Sequence, residues 1–415
     1  MPGEAPRIGL YAGTGTSHSW LWFVELFDRM LLHDVVILNE DMVRLGVLES
    51  LDVFAMSGGD TIGIAQHLGS EGARALGAFI GKGGLYIGSC AGAYLPMRSS
   101  KQHLNLFNFA NIKIANVSKV RPQTRQQTTK AFTSYGCDYV YHPVREDVRL
   151  RLTNQTAVLT CDTFLAPLYG GPSMIVEDTS EILAYYDGFT QKTKFLVDRD
   201  LAEDTLIGKV AAARLQMGDG RLYLFGPHFE HPNFPMANAF IAAILSSDVC
   251  NGPHQGDIKR NGMVNVEGEV KYRFIEEIRR EISNSRIVSI GLEPTNLEWT
   301  IGHKIYQPEK IRVFLESIWK RIGTLERLHR LCIKYGADVH LVKLARRVKE
   351  LLRETKQRID QARDTEDIGV EIFSSLRELA TLFLQIYFDS VRFNNQPFPY
   401  YGSAAHAPLC VREFV

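Results

Sequence analysis

Gly84-Leu85-Tyr86-Ile87-Gly88-Ser89-Cys90-Ala91-Gly92-Ala93-Tyr94 reads as a short buried strand, a sharp turn with a cysteine at its apex, and the start of a helix. Gly88 and Gly92 bracket Cys90 in a G-x-C-x-G pattern, the cysteine counterpart of the turn that exposes a nucleophile between a strand and a helix. Gly88 lets the backbone bend where a Cβ would clash, and Gly92 lets the helix pack close to the strand. A cysteine placed there meets the positive end of the helix dipole, which favours its thiolate. The same letters also suit a small apolar cysteine in an ordinary turn, so the surrounding chain has to decide.

Upstream, strand and helix patterns alternate. Arg7 to Gly13, Asp34 to Leu38, Val53 to Ser57 and Leu85 to Ile87 read as strands. Ser17 to Leu32 has helical spacing, with Trp20, Phe23, Val24 and Phe27 on one stripe and Ser17 as its cap. Thr61 to Leu68 and Glu71 to Ile80 read as two further helices. This order predicts an α/β fold with a doubly wound, mostly parallel sheet. Downstream, Thr156 to Thr160, Met174 to Val176, Glu181 to Tyr186 and Lys209 to Arg214 are strand candidates, the last weakened by its three alanines. Arg221 to Phe225 follows the Gly218-Asp219-Gly220 turn, and Pro235 to Ser246 reads as a helix with proline at its start.

Residues 249–262 carry Gly252, Pro253, Gly256 and Gly262 and read as a linker. Beyond it Lys310 to Tyr335, Ala337 to Arg363 and Asp367 to Phe393 show apolar residues at helical spacing. The expected organisation is an α/β domain over residues 1–250, an all-α domain over 263–393, and an irregular tail over 394–415. The helical domain offers faces for a homo-oligomer or a protein partner.

Lysines and arginines balance aspartates and glutamates, 47 against 47, so no bulk field draws the chain to nucleic acid or to a membrane surface. No signal peptide and no bilayer-length apolar run is apparent, and six scattered cysteines without a C-x-x-C pair fit a reducing cytoplasm. No histidine spacing suggests a metal, and no cofactor is expected; Gly13-Thr14-Gly15 lacks the third glycine of a dinucleotide fingerprint. Lys113, Lys119, Arg121, Arg125 and Lys130 lie among polar residues and read as a solvated loop, with acidic-substrate binding as the alternative.

A reactive cysteine needs a base, and the base needs an orienting group. Gly226-Pro227-His228-Phe229-Glu230 ends the last strand of the first domain, and in extended chain His228 and Glu230 project to the same side. Met56-Ser57-Gly58-Gly59-Asp60 follows the third strand; the N–H groups of Gly58, Gly59 and Ala91 are candidate oxyanion donors.

Together, Ser57-Gly58-Gly59-Asp60, Gly88-Ser89-Cys90-Ala91-Gly92 and His228-Phe229-Glu230 resemble the oxyanion loop, nucleophile elbow and His-x-Glu element of class I glutamine amidotransferases. The closest branch is the biotin-protein-ligase N-terminal-domain-like group, to which Tyr11 to Ser17 and Tyr169-Gly170-Gly171-Pro172 are also similar. The resemblance spans about residues 5–248. It implies a flavodoxin-like domain with a Cys90, His228, Glu230 triad that attacks a small-molecule or peptide amide through a thioester. Many glutamine-using members carry Gln four residues after the nucleophile; here that position is Tyr94, the expected substrate contact. No biotin-ligase catalytic domain is visible. A cysteine peptidase, or an idle amidotransferase-like scaffold, are the competing readings.

Overall fold

The computed structural model describes residues 5–116, 140, 142–153, 161–176, 180–249 and 262–395. The expected strand Thr156 to Thr160, most of the linker, and nearly all of the basic loop and tail lie outside these residues.

The first half runs β1 (Ile8–Tyr11), α1 (Trp20–Arg29), β2 (Val35–Leu38), α2 (Glu40–Arg44), β3 (Val53–Met56), α3 (Thr61–Gly81), β4 (Leu85–Ser89) and α4 (Ala91–Tyr94). Then come β5 (Ile112–Ile114), β6 (Val144–Leu152), β7 (Thr163–Leu168), β8 (Met174–Val176), β9 (Ser180–Phe189), β10 (Lys194–Phe195), α5 (Arg199–Leu206), β11 (Val210–Met217), β12 (Gly220–Phe225) and α6 (Pro235–Asp248). Strands β2, β1, β3, β4 and β12 lie side by side in that order and are parallel throughout. That is the flavodoxin-like order 2-1-3-4-5, whose ligand crevice lies at the carboxyl ends of the strands where the order reverses. Beyond β12 the same sheet continues antiparallel through β11, β9 and β6.

The core strands show period-two burial on two faces. Ile8, Leu10, Val35, Ile37, Val53, Ala55, Leu85 and Ile87 face one core, whereas Tyr11, Val36, Leu38, Phe54, Met56 and Tyr86 face the other. The two helices expected over 61–80 are both present within α3, meeting at Gly69, whose φ 60° and ψ −165° break the helical geometry between them. Ser17 is not the cap of α1: the helix begins at Trp20, and Ser17 Oγ lies 2.9 Å from Ser19 Oγ instead.

The C-terminal part is helical but not purely so. It runs β13 (Met263–Val266), α7 (Gly268–Leu292), β14 (Trp299–Ile301), β15 (Lys304–Tyr306), α8 (Pro308–Arg327), β16 (Leu331–Lys334), α9 (Ala337–Asp360) and α10 (Glu366–Asn395). Strand β16 occupies the end of the stretch expected as one helix over 310–335, pairing antiparallel with β13. This part shares a continuous apolar core with the α1 face of the sheet, Phe314, Leu315 and Ile318 packing in the same cluster as Trp20, Phe23 and Phe27. It also covers the exposed edge of the sheet. Gln385 of α10 accepts from the Ile37 N–H (2.8 Å) and donates to the Val35 carbonyl (3.3 Å), satisfying groups that an edge strand leaves unpaired.

Glycines set the closest backbone approaches. A Cβ on Gly88 would land on the Gly92 carbonyl, and one on Gly92 on the Met56 carbonyl. Gly171 is packed as tightly: its Cβ would strike the carbonyl of Gly226, two residues before His228. Gly171→Ala should therefore destabilise the protein by about 2–3 kcal/mol. Urea unfolding checks this, and an unchanged midpoint would contradict it.

Candidate active site

Cys90 sits between β4 and α4 with φ 53° and ψ −108°, a conformation that non-glycine residues rarely adopt. Four backbone hydrogen bonds hold it there. Its N–H donates to the Phe225 carbonyl (2.9 Å), its carbonyl accepts from the Ala93 and Tyr94 N–H groups, and the Gly92 N–H donates to the Ser57 carbonyl (3.0 Å). Backbone strain is thus over-determined by the strands on either side, and it pushes the thiol out at the carboxyl end of the sheet.

His228 is carried there by the end of β12. Its N–H donates to the Pro167 carbonyl, and the next side chain, Phe229, stacks flat on Phe225 at 4.4 Å with Phe164 and Phe240 edge-on around it. Asn238 of α6 donates to the Phe229 and His231 carbonyls, closing the turn. His228 lines the same cavity as Cys90, and the charges of the two groups favour one another. Its Nδ1 lies 2.7 Å from Glu230 Oε1. Since Glu230 is fully buried, the carboxylate fixes the tautomer and favours the charged ring.

The carboxylate has its own support. Ser57 Oγ donates to Glu230 Oε1 (2.5 Å) and lies 2.8 Å from Ser19 Oγ, which in turn accepts from the Gly58 N–H. Ser57 and Ser19 are both buried. Of the expected oxyanion donors, Gly58 is therefore already engaged. Gly59 forms a non-hydrogen-bonded pair with Thr16, flanked by bonds from Ser17 to Gly58 and from Asp60 to Gly15, and its N–H has no acceptor among the described residues. Ala91 is the first residue of α4, where an N–H has no partner within the helix.

Electrostatically, burial pushes the Cys90 thiol up, but His228, followed by Lys304, outweighs it and the net direction is down. Burial likewise pushes His228 down, and Glu230 and Cys90 together reverse this, raising it well above an ordinary imidazole. Glu230 is held below the usual carboxylate range despite its burial, chiefly by His228. The three groups favour a thiolate beside an imidazolium. Around them, burial drives His231 down to about 4 and holds His18 well below an ordinary imidazole.

The thiol opens into a cavity of about 340 Å³. Ser17, Ser19, Gly58, Gly59, Cys90 and His228 form its floor; Trp22 and Tyr169 stand over His228, with ring centroids at 4.9 and 5.9 Å. The far wall comes from the C-terminal part, as Lys304, Ile305, Tyr306, Gln307, Lys310 and Val313. The β14–β15 hairpin is fastened over the site by His303, whose N–H and Nδ1 both meet Asp60 Oδ2 (3.0 and 2.9 Å). Asp60 Oδ1 meanwhile caps α3 through Ile62 and Gly63.

Tyr94 is the residue expected to touch substrate. It is buried, its hydroxyl accepts from Asn116 Nδ2 (3.3 Å), and it does not line the cavity. Its ring belongs to the same buried cluster as Met56, Tyr86 and Ala93. Ser19, Arg145, Lys304 and Lys310 were not read from the sequence, whereas Ser57 and Tyr169 lie in stretches already singled out. Among the described residues, no group of three His, Cys, Asp or Glu side chains is arranged to hold a metal, and no helix is long and apolar enough to cross a membrane.

Solved structures that resemble the chain do so weakly. A glutamine amidotransferase is 13% identical, with 57% of this chain and 97% of that one covered and a TM-score of 0.37. The cytoplasmic protein STM3548 from Salmonella typhimurium is 10% identical, covering 54% of this chain and 85% of that one at a TM-score of 0.35. STM1381 from Salmonella typhimurium LT2, also described as cytoplasmic, is 11% identical, covering 59% and 100% at 0.36. No curated protein matches. The family model for the biotin-protein ligase N-terminal region matches residues 7–260, which hold the whole sheet and all of Cys90, His228 and Glu230, and the chain belongs to that family.

Proposed function

We propose that the chain is a cysteine-dependent amidohydrolase or amidotransferase-like enzyme that forms a thioester on Cys90. The observation that carries this reading is a strained Cys90 that shares one cavity with His228, whose Nδ1 is hydrogen-bonded to a fully buried Glu230. A domain kept only as a scaffold has no physical need for a buried carboxylate, an imidazole and a thiol in that order.

In this reading the Cys90 thiolate attacks an amide carbonyl carbon, and the oxygen takes the negative charge. The N–H groups of Gly59 and Ala91 receive it. Imidazolium His228 protonates the departing amine as the C–N bond breaks, leaving the thioester. Water, or an acceptor amine, then attacks the thioester carbonyl while His228 takes its proton; the C–S bond breaks, the acid or new amide departs, and the thiolate beside the imidazolium is restored. Glu230 orients His228 and does not exchange protons with substrate. The cavity, roofed by the β14–β15 hairpin, suits a small amide better than a polypeptide strand, which sets the peptidase reading second.

The test is product chemistry. Purified protein is offered a panel of carboxamides with hydroxylamine as acceptor; ammonia and hydroxamate should appear together, and neither with Cys90→Ser. Ammonia release that persists at the same rate in Cys90→Ser would sink the proposal.

A further inference from the structure

Three cations, Arg145, Lys304 and Lys310, line the wall of the cavity that holds Cys90. Two of them come from the C-terminal part, Lys304 from β15 and Lys310 from the first turn of α8. The one aspartate or glutamate among the lining residues is Glu146, and it is already committed: Tyr169 donates to it at 2.9 Å and Lys194 lies 3.3 Å away.

Lys310 is placed against its own electrostatic interest. Burial and then Arg145 push its ammonium down, only weakly opposed by Glu309 and Glu146. It also stands at the positive end of α8, where a cation is disfavoured. No carboxylate lies within ion-pair distance of it among the described residues. Its neighbours His18 and His231 are pushed toward neutrality, so they add no positive charge of their own to the wall. A half-buried cation held beside a second one, in a cavity that opens on a nucleophile, is the arrangement expected where the missing anion arrives with the substrate.

We infer that the C-terminal wall selects a net-anionic amide, one whose carboxylate is received by Lys310, Lys304 and Arg145 while its amide carbonyl faces Cys90. This rests on the reading of Cys90 as a nucleophile. It adds to that reading the charge class of the substrate and a catalytic-site role for the C-terminal part.

Two alkylating reagents of similar size, one neutral and one anionic, test it. The Cys90 thiolate displaces iodide from neutral iodoacetamide or from anionic iodoacetate, and mass spectrometry reads each rate at Cys90. A short cysteine peptide supplies the reference ratio. The iodoacetate-to-iodoacetamide ratio at Cys90 should exceed that of the peptide about tenfold, because the cations raise the local concentration of the anion. Lys310→Met and Lys304→Met should each lower the ratio several-fold, and Lys310→Arg should keep it. A wild-type ratio equal to that of the peptide, with iodoacetamide still reacting rapidly, overturns this inference and leaves the nucleophile standing. If Cys90 reacts with neither reagent, the nucleophile reading fails and the inference fails with it. The wild-type ratio needs no variant to fold, and the Arg variant separates loss of charge from loss of structure.

Discussion

Amide turnover should fall about 10⁴-fold or more in Cys90→Ala and by about 10³–10⁴-fold in His228→Ala. The pH dependence distinguishes the two causes of loss. Reactivity of Cys90 needs the thiolate, which is lost as pH falls through the thiol pKa. That pKa is held low by His228 and Lys304 in spite of burial, so the acid limb lies below the ordinary thiol value of about 8.5. Expulsion of the amine needs the imidazolium, which is lost as pH rises through the His228 pKa. That pKa is raised by Glu230 and Cys90, so the alkaline limb lies above about 6.5. Between the limbs both charged forms coexist, and the limbs belong to the coupled pair. In His228→Ala, burial of the thiol is no longer offset by the ring, and alkylation of Cys90 should shift to higher pH. In Glu230→Gln the ring loses its largest favourable partner, and the alkaline limb of turnover should move down. Iodoacetamide rates against pH, followed at Cys90, check the first; initial rates against pH check the second. Identical limbs in wild type and both variants would refute a coupled Cys-His-Glu site.

The elbow was readable because close backbone approach leaves glycine no substitute. Gly88 and Gly92 touch backbone carbonyls, so their positions in the sequence announce the geometry. The pair His228 and Glu230 was readable, but not by the extended chain expected of it: the segment is a turn closed by the His231 N–H on the His228 carbonyl. The parallel core was readable through alternating strand and helix patterns. The remainder failed for different reasons. β6 carries a plain alternation, with Val148, Leu150 and Leu152 buried between exposed Arg149 and Arg151, and that signal was available. α7 likewise places Phe274, Ile275, Ile278 and Ile282 on one buried stripe. Ser57 and Ser19 were not separable from turn serines, since their role depends on a buried carboxylate about 170 residues or more away. Lys304 and Lys310 were hidden more deeply. In sequence they are two lysines near a proline in a helical region. Only the docking of the hairpin onto Asp60 brings them to the thiol.

Arg321→Met should be the most destabilising change at the contact between the two parts of the chain. The guanidinium is 2% exposed and is held by Asp28 (3.1 Å) and Glu25 (3.5 Å) of α1, by the Ser317 and Val24 carbonyls, and over the ring of Tyr387. Tyr387 in turn donates to Asp28 at 2.6 Å, so α1, α8 and α10 meet at one polar knot inside the shared core. Removing one partner of such a buried pair leaves the others desolvated and uncompensated, which costs about 3–5 kcal/mol. Asp28 and Glu25 retain some contact with solvent, which places the expected loss at the lower end. The acid behaviour gives a second readout. Burial pushes the Asp28 carboxyl up, but His33, Arg321 and Tyr387 bring it below its ordinary value. Its contribution to stability is thus complete above the unfolded value near about 4 and is lost as pH falls through the folded one. Arg321→Met should flatten that acid loss as well as lower the urea midpoint at neutral pH. Because the knot joins the sheet to the helices that roof Cys90, the variant should also blunt the iodoacetate preference at the thiol before global unfolding sets in. Unfolding curves at pH 7 and pH 4, read by circular dichroism, decide the point. An unchanged midpoint at both would mean that the core alone, without this knot, holds the C-terminal wall over the site.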